Sequence, residues 1–159
     1  MAFFVGEFEQ VIDAKHRLSI SSSFRDQLVP EEDGTDFFLV LGADKHLRLY
    51  PNLYYRRLAT MLGRSAIPDS RSSRYDIIFA LARILKPDPQ GRVVLPEKSM
   101  RRATIATRIT VIGANDHLEI WPTDEWDRHV EQTLPIYGDM LDDAAMRLNE
   151  QQGQIGPVQ

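Results

Sequence analysis

The 159-residue chain has no cysteine, which excludes disulfide staples, thiolate metal ligands and a cysteine nucleophile. It has no apolar run approaching the roughly 18–20 residues of a membrane-spanning helix. Its opening stretch, MAFFVGEFEQ, carries neither a basic leader nor an extended apolar segment, so the chain reads as a cytoplasmic protein. Catalytic motifs are missing as well: there is no glycine-rich phosphate loop, no nucleophile elbow and no paired-histidine metalloprotease motif. Asp13 with His16, or Asp116 with His117, lacks an accompanying nucleophile, and sequence neighbours rarely converge on one substrate. The expectation is a protein that is not an enzyme, with no catalytic residue, no cofactor and no metal.

What is present is ordinary globular material. Hydrophobic residues make up 43% and charged residues 26%, enough for one compact domain or two intimately packed halves. The formal charge of -4 and the pI near 5.5, taken whole, argue against a nucleic-acid binder. The average conceals a segregation. Residues 71–108 hold nine basic residues and three acids, a local excess of six positive charges, which leaves the remainder with ten net negative charges. Such a chain can carry a basic face on an acidic body, although a merely solvated, charge-rich surface has the same composition.

The chain also repeats itself. DAKHRLSIS at residues 13–21 returns as DPQGRVVLP at residues 88–96, matching Asp13 to Asp88 and Arg17 to Arg92 at an offset of 75. LGADKHLRLYPNLYY at residues 41–55 aligns with IGANDHLEIWPTDEW at residues 112–126 at an offset of 71. The missing four residues fall at the acidic, turn-rich insert VPEEDGTD of the first half. Duplication explains this pattern, giving two similar units related by a pseudo-twofold around one core.

Each unit reads in the same order. A short strand ends in the Asp-x-x-x-Arg turn, and a second strand follows with Leu18 and Ile20, or Val93 and Leu95, on one side. A short polar helix comes next, then an apolar strand, a Gly/Asp/Asn-rich hairpin turn and a return strand. Asn52 and Thr123 are suited to N-cap the helices that follow Pro51 and Pro122. The predicted layout is a first half over residues 1–62, a linker over 63–73, a second half over 74–134, and a C-terminal amphipathic helix with a frayed tail over 135–159.

The stretches FFVGEFEQVIDAKHRLSISSSFR, DPQGRVVLP and VIGANDHLEIWPTDEWDRHV resemble the MraZ family of bacterial transcriptional regulators, over nearly all of residues 3–131. The resemblance implies a mainly β fold with short helices (α+β), namely a duplicated AbrB-like swapped-hairpin β-barrel with pseudo-twofold symmetry. It further implies a ring-shaped, octamer-like homo-oligomer, double-stranded DNA with repeated promoter elements as partner, nucleoid association, and repression of a division and cell-wall gene cluster. The family signature is Asp-x-Lys-Gly-Arg, a strand, then Pro. The second half keeps Asp88, Gly91, Arg92 and Pro96 with Gln90 at the lysine position. The first half keeps Asp13, Lys15 and Arg17 but has His16 for Gly and Ser21 for Pro, which leaves its turn geometry open.

Residue by residue, period-2 alternation sends Arg17 and Arg92 to the face opposite Leu18 and Val93. There a guanidinium can bridge phosphate oxygens or take guanine O6 and N7 together. The candidate DNA contacts are Lys15, Arg17, Gln90 and Arg92, with Lys98, Arg101 and Arg102 on the basic helix for backbone phosphates. Asp13, His16, Asp88 and Gly91 are the supporting turn residues. The competing reading is a purely structural Asp–Arg turn and a solvated helix face. His46 and His117 read as polar hairpin residues rather than metal ligands. Trp121, Trp126, Tyr50 and Tyr55 read as packing residues rather than base-stacking platforms. The rival function is an AbrB-like protein-interaction or antitoxin-type module, motivated by the acidic C-terminal helix.

Overall fold

Two apolar hairpins form the centre of the sheet, because β-branched and aromatic residues alternate at period 2 around polar turns. The computed structural model describes residues 1–62 and 66–154. Its strands are β1 (Glu7–Val11), β2 (Arg17–Ser19), β3 (Phe37–Leu41), β4 (Leu47–Pro51), β5 (Arg83–Leu85), β6 (Arg92–Val94), β7 (Arg108–Gly113) and β8 (Leu118–Pro122). Six of them make one antiparallel sheet in the order β1-β7-β8-β4-β3-β5, and β2 pairs with β6 in a separate ribbon. The helices are α1 (Ser22–Arg25), α2 (Pro30–Asp33), α3 (Asn52–Thr60), α4 (Asp76–Leu81), α5 (Glu97–Arg102), α6 (Thr123–Thr133) and α7 (Tyr137–Gln154).

The chain divides into two compact units, Met1–Thr123 and Asp124–Gln159. The core of the first lies on one face of the sheet. Phe37, Leu39, Leu47, Leu49, Ile109, Val111, Leu118 and Ile120 all point there, none more than 1% exposed. Phe4 and Phe24 meet edge-to-face beside them, ring centroids 5.9 Å apart. Leu18 and Val93, the central pair of the β2–β6 ribbon, are buried in the same core. The ribbon therefore lies over the core with its other face outward. In the second unit, α6 and α7 are joined by a 3-10 turn over Leu134–Ile136, and the Trp126 ring lies 5.8 Å from that of His129.

Several expectations are corrected. The described residues are 43% helical and 25% strand, so the fold is mixed rather than mainly β, chiefly because α3, α6 and the 18-residue α7 outweigh the short strands. Among these residues the strands do not close into a barrel. β2 and β6 have three residues each and run directly into turns and helices, too short to bridge the sheet edges at β1 and β5. Asn52 is not an N-cap: Pro51 holds that position, and the buried Asn52 Oδ1 has no hydrogen-bond partner. A 3-10 turn, Ser72–Tyr75, begins in the last two residues of the segment read as linker and leads into α4; residues 63–65 of that segment, like tail residues 155–159, lie outside the described residues. The helix expected after Pro135 is present and extends to Gln154.

The hairpins also refine the internal alignment. Leu41 pairs with Leu47 in the first hairpin, whereas Gly113 pairs with Leu118 in the second. The second turn is thus one residue shorter, and β3 corresponds to β7 at an offset of 72 rather than 71. Identity of the turn residues had pulled the alignment one place out of register.

Leu49→Ala removes a fully buried side chain at the centre of the sheet and is expected to destabilise the fold by about 2–5 kcal/mol in urea unfolding. Val94→Ala, on the outer face of the ribbon and 58% exposed, is expected to stay within about 0.5 kcal/mol of the parent protein.

Candidate nucleic-acid interface

Each Asp-x-x-x-Arg segment is closed by its own aspartate. Asp13 Oδ1 accepts the backbone N–H groups of Lys15 and Arg17, both at 2.9 Å, and Oδ2 accepts Arg17 Nε at 2.6 Å. Asp88 repeats the pattern with Gln90 N and Arg92 N at 2.9 Å and Arg92 Nε at 2.8 Å. These bonds stabilise the charged carboxylates, the backbone N–H of Arg17 or Arg92 most strongly, and hold both pKa values below the ordinary aspartate range. Each arginine engages its aspartate through Nε, so the Nη groups at its tip remain as outward donors. Their exposures of 29% and 32% describe side chains that are anchored yet reachable.

The ribbon brings the two turns together. Leu18 pairs with Val93, Arg17 with Val94 and Ser19 with Arg92, so both arginines share the outer face, diagonal to one another. Two further bonds tie each turn to the other half: Ile20 N donates to Gly91 O, and Leu95 N to His16 O, both at 2.9 Å. Lys15 and Gln90 are exposed at the turn tips. Gln10 holds the free edge of β2, its amide accepting from Ser19 N and donating to Ser19 O, both at 2.8 Å.

The departures of the first turn have local compensations. His16 sits at φ 60 where Gly91 sits at φ 79, so the histidine adopts the left-handed backbone directly. Ser21, in place of proline, caps α1 by accepting the N–H of Ser23 at 3.3 Å, whereas Pro96 offers α5 no side-chain cap. On α5, Lys98, Arg101 and Arg102 are exposed and Ser99 and Met100 are buried. Arg102 lies beside Leu39, Leu47 and Leu81. Sequence reasoning passed over Arg25 and Gln10. The signal for Arg25 was its place four residues after Ser21 in a polar helix; Gln10 had none.

A second cluster lies where β4 pairs with β8, around the opposed pair Arg48 and Glu119. One step beyond the paired residues on either side, His46 stacks on Trp121 (centroids 3.6 Å, 17°) and Tyr50 on His117 (4.9 Å, 24°). His117 contacts Asp116 through Nδ1 at 2.7 Å and Glu119 through Nε2 at 2.8 Å. Glu119 also accepts Trp121 Nε1 at 2.9 Å, and Tyr54 donates to Asp116 at 2.6 Å. His46 and His117 are therefore buried stacking partners rather than simple polar hairpin residues, and Trp121, Tyr50 and Tyr55 pack against neighbouring rings. Burial disfavours the His117 cation, but its bonds to Glu119 and Asp116 outweigh that and raise its pKa above the ordinary histidine value. Among the described residues no group of three or more such side chains is placed to hold a metal ion, and no helix is long and apolar enough to cross a membrane.

Comparison with known proteins gives a consistent answer. A family model described as "MraZ protein, putative antitoxin-like" matches two successive stretches, residues 3–71 and 78–137. The chain is 37% identical over 125 residues to the transcriptional regulator MraZ of Herpetosiphon aurantiacus, covering 77% of this chain and 83% of the relative. It is 31% identical over 142 residues to the protein of the same name from Pediococcus pentosaceus (87% and 94% covered). With that from Bifidobacterium longum it shares 28% identity over 140 residues (87% and 90%). These relatives are named as regulators, a family not known as enzymes.

The His117 network carries a pH signature. Because its pKa is raised in the fold, its stabilising charge is present in full below the unfolded histidine value near 6.5 and is lost as pH rises through the folded value above it. Urea midpoints of the parent protein are expected to fall between pH 6 and pH 9 by more than those of His117→Gln. Equal falls in both proteins would show that the network contributes nothing at this step.

Proposed function

The chain belongs to the MraZ family of DNA-binding transcriptional regulators, and from that premise we propose that it reads double-stranded DNA through the β2–β6 ribbon. The observation that carries the reading is the matched pair of aspartate-locked arginines on one outward face. Arg17 and Arg92, with Lys15 and Gln90 at the tips, take the base-edge and nearby phosphate contacts, and Asp13 and Asp88 orient them. Gly91 and His16 supply the left-handed turn. Lys98, Arg101 and Arg102 add phosphate contacts along α5.

The proposed target is a repeated promoter element upstream of a division and cell-wall gene cluster, which the protein represses in the cytoplasm, at the nucleoid. A ring-shaped homo-oligomer presents many copies of the ribbon, and weak contacts repeated against a repeated site gain avidity. That offsets the acidic charge of the single chain.

The proposed architecture is a duplication with swapped hairpins: a first half over 1–62, a linker over 63–73, a second half over 74–134 and a C-terminal segment over 135–159. The strand registers support it. The ribbon is centred on Leu18 and Val93, equivalent residues at the offset of 75. The β4–β8 pairing is centred on Arg48 and Glu119, equivalent at 71. Glu9 pairs with Thr110 and Ile84 with Phe38, so the opening strand of each half pairs with the hairpin of the other at the same register.

A second reading, an antitoxin-type module bound to a protein partner, is favoured by the wording of the matching family model and by the acids Asp139, Asp142, Asp143 and Glu150 on α7. Co-purification of a stoichiometric protein in place of DNA binding would support it.

Anisotropy titration of a labelled duplex spanning the gene's own upstream region tests the proposal. Binding is expected to weaken steeply with salt and to fall by about tenfold or more in Arg17→Ala and in Arg92→Ala. Lys98→Ala or Arg101→Ala is expected to weaken all duplexes alike and reduce the salt slope by about one. Absent or salt-independent binding by folded protein refutes it.

A further inference from the structure

Arg25 belongs to the first half but is built into the turn of the second. Its Nε donates to Ile20 O at 3.0 Å, and Ile20 N donates to Gly91 O at 2.9 Å. A Cβ placed on Gly91 would lie 2.5 Å from Arg25 Nε, 2.7 Å from Cζ and 2.9 Å from Cδ. The guanidinium thus rests directly against the Gly91 backbone, and Gly91, Ile20 and Arg25 close a small ring of contacts. Glycine is favoured at this position by its φ of +79 and required by the arginine that occupies the side-chain space. Arg25 also lines a cleft of about 290 Å³ with Asp88 and Gly91, so it borders the residue that holds Arg92.

The first turn has no such clamp. Its matching bond, Leu95 N to His16 O at 2.9 Å, is present, but the residue that corresponds to Arg25 at the offset of 75 is Met100, buried and without a donor. His16 carries its own Cβ, which narrows the backbone freedom that glycine would have. The two turns share one backbone geometry and are held by different means.

We infer that Arg25 is a positioning residue for the second turn: by pinning Gly91 it fixes the direction in which Gln90 and Arg92 present their donors to DNA. The inference rests on the DNA-binding reading above. A glycine turn left free would lose conformational entropy on binding, and a turn already pinned does not. Only a planar guanidinium can donate from Nε while its face covers a peptide; an ammonium is a point charge.

The test is a double-mutant cycle on the full chain with the same labelled duplex. Arg25→Met is expected to weaken binding about 5- to 10-fold without changing the salt slope, because no phosphate contact is lost. The loss should vanish in an Arg92→Ala background and persist in full in an Arg17→Ala background. Arg25→Lys should lose as much as Arg25→Met and serves in its place if the methionine variant does not fold. Undiminished affinity, recovery in Arg25→Lys, or a loss equally additive to both arginine variants overturns the inference. If the parent protein binds no DNA, the DNA reading fails separately, and amide exchange decides the clamp. Faster exchange at Gly91 and Arg92 in Arg25→Met, with residues 15–17 unchanged, upholds the pinning; unchanged exchange at Gly91 and Arg92 removes it.

Discussion

Each candidate contact surface depends on one carboxylate that accepts two backbone N–H groups and one guanidinium N–H. Asp13 and Asp88 each perform this task with closely matching distances. The three bonds replace what a free loop would find in water, and they convert a long, rotamer-rich arginine into a side chain with one preferred direction. The next residue along, Leu18 or Val93, is buried in the core. The orientation of the outward arginine is thereby referred to the packing of the whole sheet, two bonds and one strand residue away.

The same logic of opposed faces organises the β4–β8 pairing. Leu47, Leu49, Leu118 and Ile120 point into the core, so period 2 sends His46, Arg48, Tyr50, His117, Glu119 and Trp121 to the other face. That face is largely buried too, and its carboxylate is paired rather than stripped: Glu119 holds both His117 and Trp121, while Arg48 Nε is buried without a hydrogen-bond partner. A charged group buried at this depth is tolerated because every strong acceptor there has a donor. Opposite charges, Arg48 and Glu119, face one another at the centre of the pairing, where like charges directly across the strands would be destabilising.

The sheet strands and both turns were legible in the sequence because period-2 alternation and the doubled Asp-x-x-x-Arg phrase are local signals. The outward direction of Arg17 and Arg92 followed from the burial of their neighbours. What could not be read is what depends on distant contacts. The one-residue difference between the hairpin turns was masked by identical glycine and alanine residues, and only pairing partners reveal it. Asn52 has cap chemistry, but Pro51 already bends the backbone at the helix start and takes that place. Gln10 supports β2 across nine residues of sequence with no periodicity to announce it. His46 and His117 looked like hairpin polar residues because the stacking rings that bury them come from the opposite half of the chain.

The two halves are tied to one another by backbone registers and by reciprocal main-chain bonds, Ile20 to Gly91 and Leu95 to His16. Such bonds are indifferent to side-chain identity, which frees the side chains around them to diverge. Ser21 took over a cap that Pro96 does not provide, and His16 accepted a left-handed backbone that Gly91 enters at no steric cost. The pair of turns keeps closely similar backbone geometry while presenting Lys15 on one side and Gln90 on the other. Two like turns with unequal tips thereby give a single chain two distinct donor sets on one outward face of the β2–β6 ribbon.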